Sequence, residues 1–235
     1  MTSPARSGRT KTAAAASSAP ASALSGATGG GRKAAGEDPV KREQIIDGAK
    51  RVFMAGGFDA ASMNDITREA GVSKGTIYVY FDSKDDLFIA MIERERARIV
   101  ATVKSVLHVN GPVEQALRDF GIAFVTHMCS DQTVRGMKMV LGVSERMPAL
   151  CQRFFSSSPE NGYTILKAFL EKKVAEGVLE VEDPDLAARQ FIELCMPGLF
   201  KRRIFGFMAT PPEQAEVERM VSSAVSMFLK SYKRG

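Results

Sequence analysis

Apolar residues recur at spacings of three and four through most of the chain, and several runs open on a capping residue or proline and close on glycine. Asp38-Pro39 sets a cap before a proline at the first helical position, and Ile45, Ile46, Ala49, Val52 and Phe53 carry the stripe to Gly56-Gly57. Ser62-Met63-Asn64-Asp65 has the capping-box form and opens a short helix through Ile66 to about Ala70, stopped at Gly71. Ser73 then caps a second short helix with Ile77 and Phe81 four residues apart and inward. Ser83-Lys84-Asp85-Asp86 opens a longer one through Leu87, Phe88, Met91, Ile92, Ile99, Val103 and Val106 to about His108. At 1.5 Å per residue such a helix is about 37 Å long, enough to link two domains. Asn110-Gly111-Pro112 breaks it.

The pattern stays helical to the end. Val113, Leu117, Phe120, Phe124 and Met128 form one stripe; helices follow from Thr133 to about Arg146, Pro148 to about Ser156 and Glu160 to about Glu176, closed by Gly177. Asp183-Pro184 opens a helix running to about Phe205, and Pro211-Pro212 opens the last, with Val217, Met220, Val221, Ala224, Val225 and Phe228 in register. No segment alternates with the period of a strand, and no glycine-rich phosphate loop or internal repeat interrupts the series. The predicted fold is all-α.

The two short helices joined at Gly71 describe a helix-turn-helix, whose second helix enters the major groove by its N-terminal residues. Its outward face carries Lys74, Thr76, Tyr78 and Tyr80, and Gly75 leaves room for a sugar-phosphate backbone to approach. Lys74 can donate to guanine O6 or N7, and Thr76 can reach a phosphate or a thymine methyl. Ile66, Ile77, Phe81 and Leu87 are predicted core.

At these residues the chain resembles the TetR family of bacterial transcriptional regulators. Ala70 through Leu87 follows the family pattern Ala-Gly-Val-Ser-x-Gly-Thr-hydrophobic-Tyr-x-Tyr/His-Phe-x-Ser-Lys-acidic-x-Leu, including Ser83, Lys84, Asp85 and Leu87. Thr67 stands where the family more often has Ala. The resemblance implies a three-helix DNA-binding domain at 37–82 and a larger helical regulatory and dimerisation domain at 83–235. It implies DNA contacts from Ser62, Arg68, Ser73, Lys74, Gly75, Thr76, Tyr78, Tyr80 and Lys84, with Tyr78, Tyr80 and Lys84 on phosphates. Residues 145–232 are similar to the regulatory domain of the AefR-like branch through Glu145-Arg146-Met147-Pro148, Gly177-Val178-Leu179 and the run Asp183 to Phe191.

Charge changes less than its total suggests. The chain of 235 residues has a formal net charge of +5, but Arg6, Arg9, Lys11, Arg32 and Lys33 precede the first acidic residue, Glu37, and supply all of it. Apart from Met1 and Leu24, residues 1–36 are otherwise Ala, Ser, Gly, Thr and Pro, a composition that reads as a disordered basic tail, either merely solvated or an arm following DNA. The 45% of hydrophobic residues suffices for a core. Apolar runs are broken before the ~18 residues of a membrane span, and the expectation is a cytoplasmic protein. Cys129, Cys151 and Cys195 are odd in number and lack a CxxC pair, so reduced thiols are expected rather than a disulfide frame or zinc site. His108 and His127 carry no metal spacing, the chain offers no clustered acid, base or nucleophile of the kind catalysis needs, and neither an enzyme nor a cofactor is expected.

Flexible methionines and aromatics in the C-terminal half can fill a core or line an adaptable cavity. The family resemblance implies the cavity, for an apolar or amphipathic effector; helical position alone makes Phe124, Met128, Met139 and Phe169 its candidate lining. The whole then reads as a homodimeric, ligand-responsive repressor on a palindromic operator, paired through 186–199 and 217–228. Two other readings are a ligand-independent DNA-binding regulator whose second domain only dimerises, and an enzyme or carrier with an incidental turn motif.

Overall fold

The computed structural model describes residues 36–107, 111–149, 152 and 160–233. The predicted tail, the predicted helix from Pro148, and His108, Cys151, Phe154 and Phe155 lie wholly or largely outside those residues. The described residues form ten helices: α1 Pro39–Ala60, α2 Met63–Ala70, α3 Lys74–Tyr80, α4 Lys84–Val106, α5 Val113–Met128, α6 Asp131–Val143, α7 Gly162–Ala175, α8 Pro184–Cys195, α9 Leu199–Ile204 and α10 Gln214–Tyr232. An isolated antiparallel bridge between Leu179 and Lys233 is the sole extended pairing among them.

The first four helices build one core. Asp38 accepts from the Val40 amide at the start of α1, and the helix kinks at Gly57, whose φ of 79° suits a residue without a Cβ. Past the kink Phe58 folds back to meet Phe53 and Phe88 at ring separations of 5.7 and 4.9 Å. Ile45, Ile46, Ile66, Ile77 and Leu87 are fully buried between the helices, and Phe81 nearly so, as their spacing predicts.

α1 and α2 cross in near contact. A Cβ on Gly48 would lie 2.6 Å from the Ala70 Cβ and 2.8 Å from its Cα and amide nitrogen. One turn earlier Gln44 donates its carboxamide to the Ala70 carbonyl at 2.6 Å, satisfying a carbonyl that the end of α2 leaves open.

α4 passes from this core into a second one. Leu87, Phe88 and Met91 pack with α1 and, through Val140 and Val143, with α6, whereas Val103 at the far end packs with α5, α7, α8 and α10. Phe120, Phe191 and Phe228 bring α5, α8 and α10 together, and Gly121 lets the Val221 side chain approach to within 2.7 Å of where a Cβ would stand.

Two stretches depart from the predicted elements. The helix expected from Asp183 to Phe205 is broken into α8 and α9, because the Pro197 ring drives Met196 out of helical geometry (φ −135°, ψ 57°) and Gly198 turns left-handed at φ 72°. The side chain of Arg203 in α9 is buried and works as a tie: it donates to the carbonyls of Cys129 at 3.0 Å and Met208 at 2.8 Å and to the Asp131 carboxylate. α6 begins two residues earlier than predicted, because Ser130 caps it.

The same substitution should act with opposite sign at two helix-interior glycines. Gly136 has nothing within 4 Å of an added Cβ, so Gly136→Ala should raise the urea-unfolding free energy by about 0.4–1 kcal/mol. At Gly48 the methyl meets α2 backbone that cannot rotate away, and Gly48→Ala should cost about 1–3 kcal/mol despite the gain in helix propensity. A stabilised Gly48→Ala protein would contradict the close crossing.

Candidate nucleic-acid interface

The turn is held by local hydrogen bonds that its residue types supply. Ser62 caps α2 by accepting from the Asp65 amide, Gly71 closes it at φ 64° and ψ 37°, and the Gly71 and Val72 amides donate to the carbonyls of Arg68 and Thr67 at 3.2 Å each. Ser73 caps α3 by accepting from the Thr76 amide at 3.0 Å, with the two hydroxyls 2.7 Å apart. Seven residues make a helix too short to persist alone, so α3 holds its place through Ile77 and Phe81.

With Ile77 inward, Lys74 and Tyr78 are exposed and Thr76 and Tyr80 half-buried. Val79 is 49% exposed on this short helix, an apolar contribution that the donor-based sequence reading missed. A Cβ on Gly75 would meet only the Ser73 hydroxyl, at 3.9 Å, so nothing inside the protein requires glycine there. Its bareness makes sense outward, where a nucleic-acid backbone could approach.

Ser62 and Arg68 lie on the exposed side of α2. Asp65 joins them: it accepts from the Ser62 hydroxyl and from Arg68 at 2.7 Å. Those two bonds, Ser62 first, hold the Asp65 carboxyl below its ordinary range. Arg68 would have to trade this carboxylate for a phosphate or base to touch DNA.

Lys84 has a different engagement. Its ammonium donates to the Phe58 carbonyl at 2.9 Å and the Ala61 carbonyl at 3.1 Å and sits 4.4 Å from the centre of the Phe58 ring. The side chain therefore clamps the end of α1 to the start of α4.

On the other side of α4 lies a cavity of about 300 Å³, lined by Met54 of α1, Met91, Ile92, Ile99 and Val100 of α4, Phe124, His127 and Met128 of α5, Gly136 and Met137 of α6 and Gly162 and Tyr163 of α7. Two of the four sequence candidates, Phe124 and Met128, are in that lining. Met139, two positions from Met137 on α6, instead packs against the first core, and Phe169 is buried in the second, 5.7 Å from the Lys173 ammonium. One apolar stripe per helix does not tell which of its positions meets a gap.

A charged cluster missed in the sequence borders the cavity. Glu95 of α4 accepts from Lys50 of α1 at 3.0 Å, from Arg98 at 3.1 Å and from the Gln132 carboxamide of α6. Beside it Arg94 reaches back to Asp47 at 2.7 Å and Glu43 at 3.1 Å on α1. His127 lies 3.3 Å from the Thr133 hydroxyl, and burial lowers its pKa, favouring the neutral ring.

No group of three or more metal-ligating side chains occurs among the described residues. Burial pushes the Cys195 thiol up to about 12 and raises that of Cys129, so neither supplies a thiolate near neutral pH. No described helix is long and apolar enough to cross a membrane.

Residues 45–91 match the family model for bacterial regulatory proteins of the tetR family, and residues 115–234 match that for the AefR-like transcriptional repressor C-terminal domain. Among curated proteins, the HTH-type transcriptional activator FasR of Mycolicibacterium smegmatis is 36% identical over 78 residues, 33% of this chain and 36% of FasR. The HTH-type transcriptional repressor AcnR of Corynebacterium efficiens is 35% identical over 82 residues, 34% of this chain and 42% of AcnR. The chain thus matches well under half the length of these relatives. Among solved structures, the flavonoid-responsive regulator FrrA aligns at 31% identity and a TM-score of 0.68, over 83% of this chain and 98% of its own.

Replacing Lys84 by Ala separates clamp from contact. The carbonyls at the end of α1 lose their donor, so Lys84→Ala should lower the urea-unfolding free energy by about 1–3 kcal/mol. Unchanged stability with a flatter salt dependence of DNA binding would move the ammonium from carbonyls to phosphate.

Proposed function

The chain belongs to the TetR family of bacterial transcriptional regulators, with an AefR-like C-terminal domain, and we propose that it is a homodimeric repressor released from a palindromic operator by a small molecule. The observation that carries the DNA-reading half is α3 itself: a buried Ile77 and Phe81 fix it, and Lys74, Gly75, Thr76 and Tyr78 face out from a turn capped at both ends. Lys74 and Thr76, in its first turn, reach base edges. Ser73, Tyr78 and Tyr80 position the backbone, with Ser62 and Arg68 adding contacts from α2. Lys84 adds to phosphate attraction only to the extent that it leaves its carbonyls.

The repressor reading rests on the model that matches the C-terminal half, described as that of a repressor. The dimer reading rests on α8 and α10. Leu186 and Met227 are 50% and 54% exposed there, and a groove between the helices is lined by Leu194, Pro197, Met220 and Met227. Pairing these helices with their copies about a two-fold axis would set two α3 helices about 34–36 Å apart, one turn of DNA. In the proposed function 37–82 forms the DNA-binding domain and 83–235 the regulatory one.

The release half rests on the cavity and on α4. Met91 and Glu95 line the cavity while Glu95 pairs with Lys50, and Arg94 next to it holds Glu43 and Asp47 of the DNA-binding domain. An apolar or amphipathic effector that favours a different seating of α4 lowers DNA affinity by the coupling free energy with which DNA opposes the effector.

Lys74→Ala tests the reading at its tip. On a duplex enriched from a random pool it should cost about 1–3 kcal/mol and relax preference at one base position, with a smaller loss on scrambled duplex. Equal loss on both would make Lys74 a phosphate contact.

A further inference from the structure

We propose that the cavity takes an uncharged, largely apolar ligand that carries a single hydrogen-bonding group, and that this group meets the imidazole of His127. The inference rests on the effector reading above and narrows it to a chemical class. Most of the wall is thioether, aliphatic and aromatic: Met54, Met91, Ile99, Phe124, Met128 and Met137. Such a wall rewards apolar volume and penalises any charge stripped of water without a countercharge.

The ionic groups at the cavity's edge already have countercharges. Glu95 holds Lys50, Arg98 and the Gln132 amide, Glu160 receives Lys104 at 2.7 Å, and Arg96 has the Glu93 carboxylate nearby. A ligand carboxylate would have to compete with Glu93 or Glu160 for a cation, and a ligand ammonium would have to displace Lys50 or Arg98 from Glu95. Two of these pairs, Lys50 with Glu95 and Lys104 with Glu160, also tie α4 to its neighbours.

The neutral polar groups are mostly committed as well. Tyr163 donates its hydroxyl to Asp185, and Asn161 caps α7 by accepting from the amides of Tyr163 and Thr164 at 3.0 Å each. His127 differs. The Thr133 hydroxyl engages its Nε2, and a neutral ring has a second nitrogen able to donate or accept. Burial favours that neutral form, so the ring offers a hydrogen bond without offering a charge.

Four probes of one shape test this on the full-length protein by calorimetric titration at pH 7: naphthalene, 2-naphthol, 2-naphthoate and 2-naphthylmethylamine. Naphthol should bind tightest, the two ions weaker by about tenfold or more, and naphthalene weaker than naphthol by the hydrogen bond, about two- to tenfold. His127→Phe should bring naphthol down to naphthalene and leave naphthalene unmoved, a pattern that loss of structure would not give. Gly136→Leu, which fills the cavity from a position with nothing within 4 Å of its Cβ, should abolish binding of all four with the unfolding midpoint retained. Tighter binding of either ion, naphthol no better than naphthalene, or naphthol binding that survives Gly136→Leu would each overturn the inference with the effector reading intact in the first two cases. No binding by any probe would overturn the inference and the effector reading together.

Discussion

One helix belongs to two cores, and the rest of the molecule is arranged around that constraint. α4 buries Leu87, Phe88 and Met91 in the core of α1–α3 and Val103 in the core of α5, α7, α8 and α10. A continuous helix of 23 residues has an unbroken hydrogen-bond ladder, so it tilts or slides as a body. Its middle, where the apolar stripe thins, carries Arg94, Glu95, Arg96 and Arg98. Arg94 and Glu95 reach α1, and Glu95 and Arg96 border the cavity. Ion pairs of this partly exposed kind contribute little each to stability, and their use here is to fix direction: a shift of α4 must rearrange Glu95 with Lys50 and Arg94 with Asp47.

The recognition helix depends on that frame. α3 has seven residues and two caps, and its placement comes from Ile77 and Phe81 set against Ile66 and the floor of α1. The floor is tight because Gly48 admits the α2 backbone and Gln44 ties the Ala70 carbonyl down. Rigid below and bare above, α3 presents Lys74 and Thr76 at the fixed positions that the proposed base reading demands. Val79 adds an apolar contact surface that no count of donors would suggest.

What the sequence disclosed and what it hid divide along physical lines. Caps and left-handed glycines are local, so Ser62, Gly71, Ser73 and Ser83 marked α2, α3 and the start of α4 within a residue of where they stand. Pro197-Gly198 was as local a signal, yet the apolar period running across it suggested one helix where there are two. Interhelical facts were out of reach. The partners of Lys84 are backbone carbonyls more than twenty residues away, and an i, i+4 stripe cannot separate Met137 on the cavity wall from Met139 against the first core. Gly48 left a trace, a glycine inside an otherwise well-formed helix, which is costly unless something packs against it.

Sequencing the duplex fragments that the full-length protein retains from a random pool tests the central claim, that α3 reads bases from a two-fold assembly. The account predicts an inverted repeat with half-site centres about one helical turn, or 10–10.5 base pairs, apart or a multiple of it. Fragments enriched without any shared sequence would contradict it.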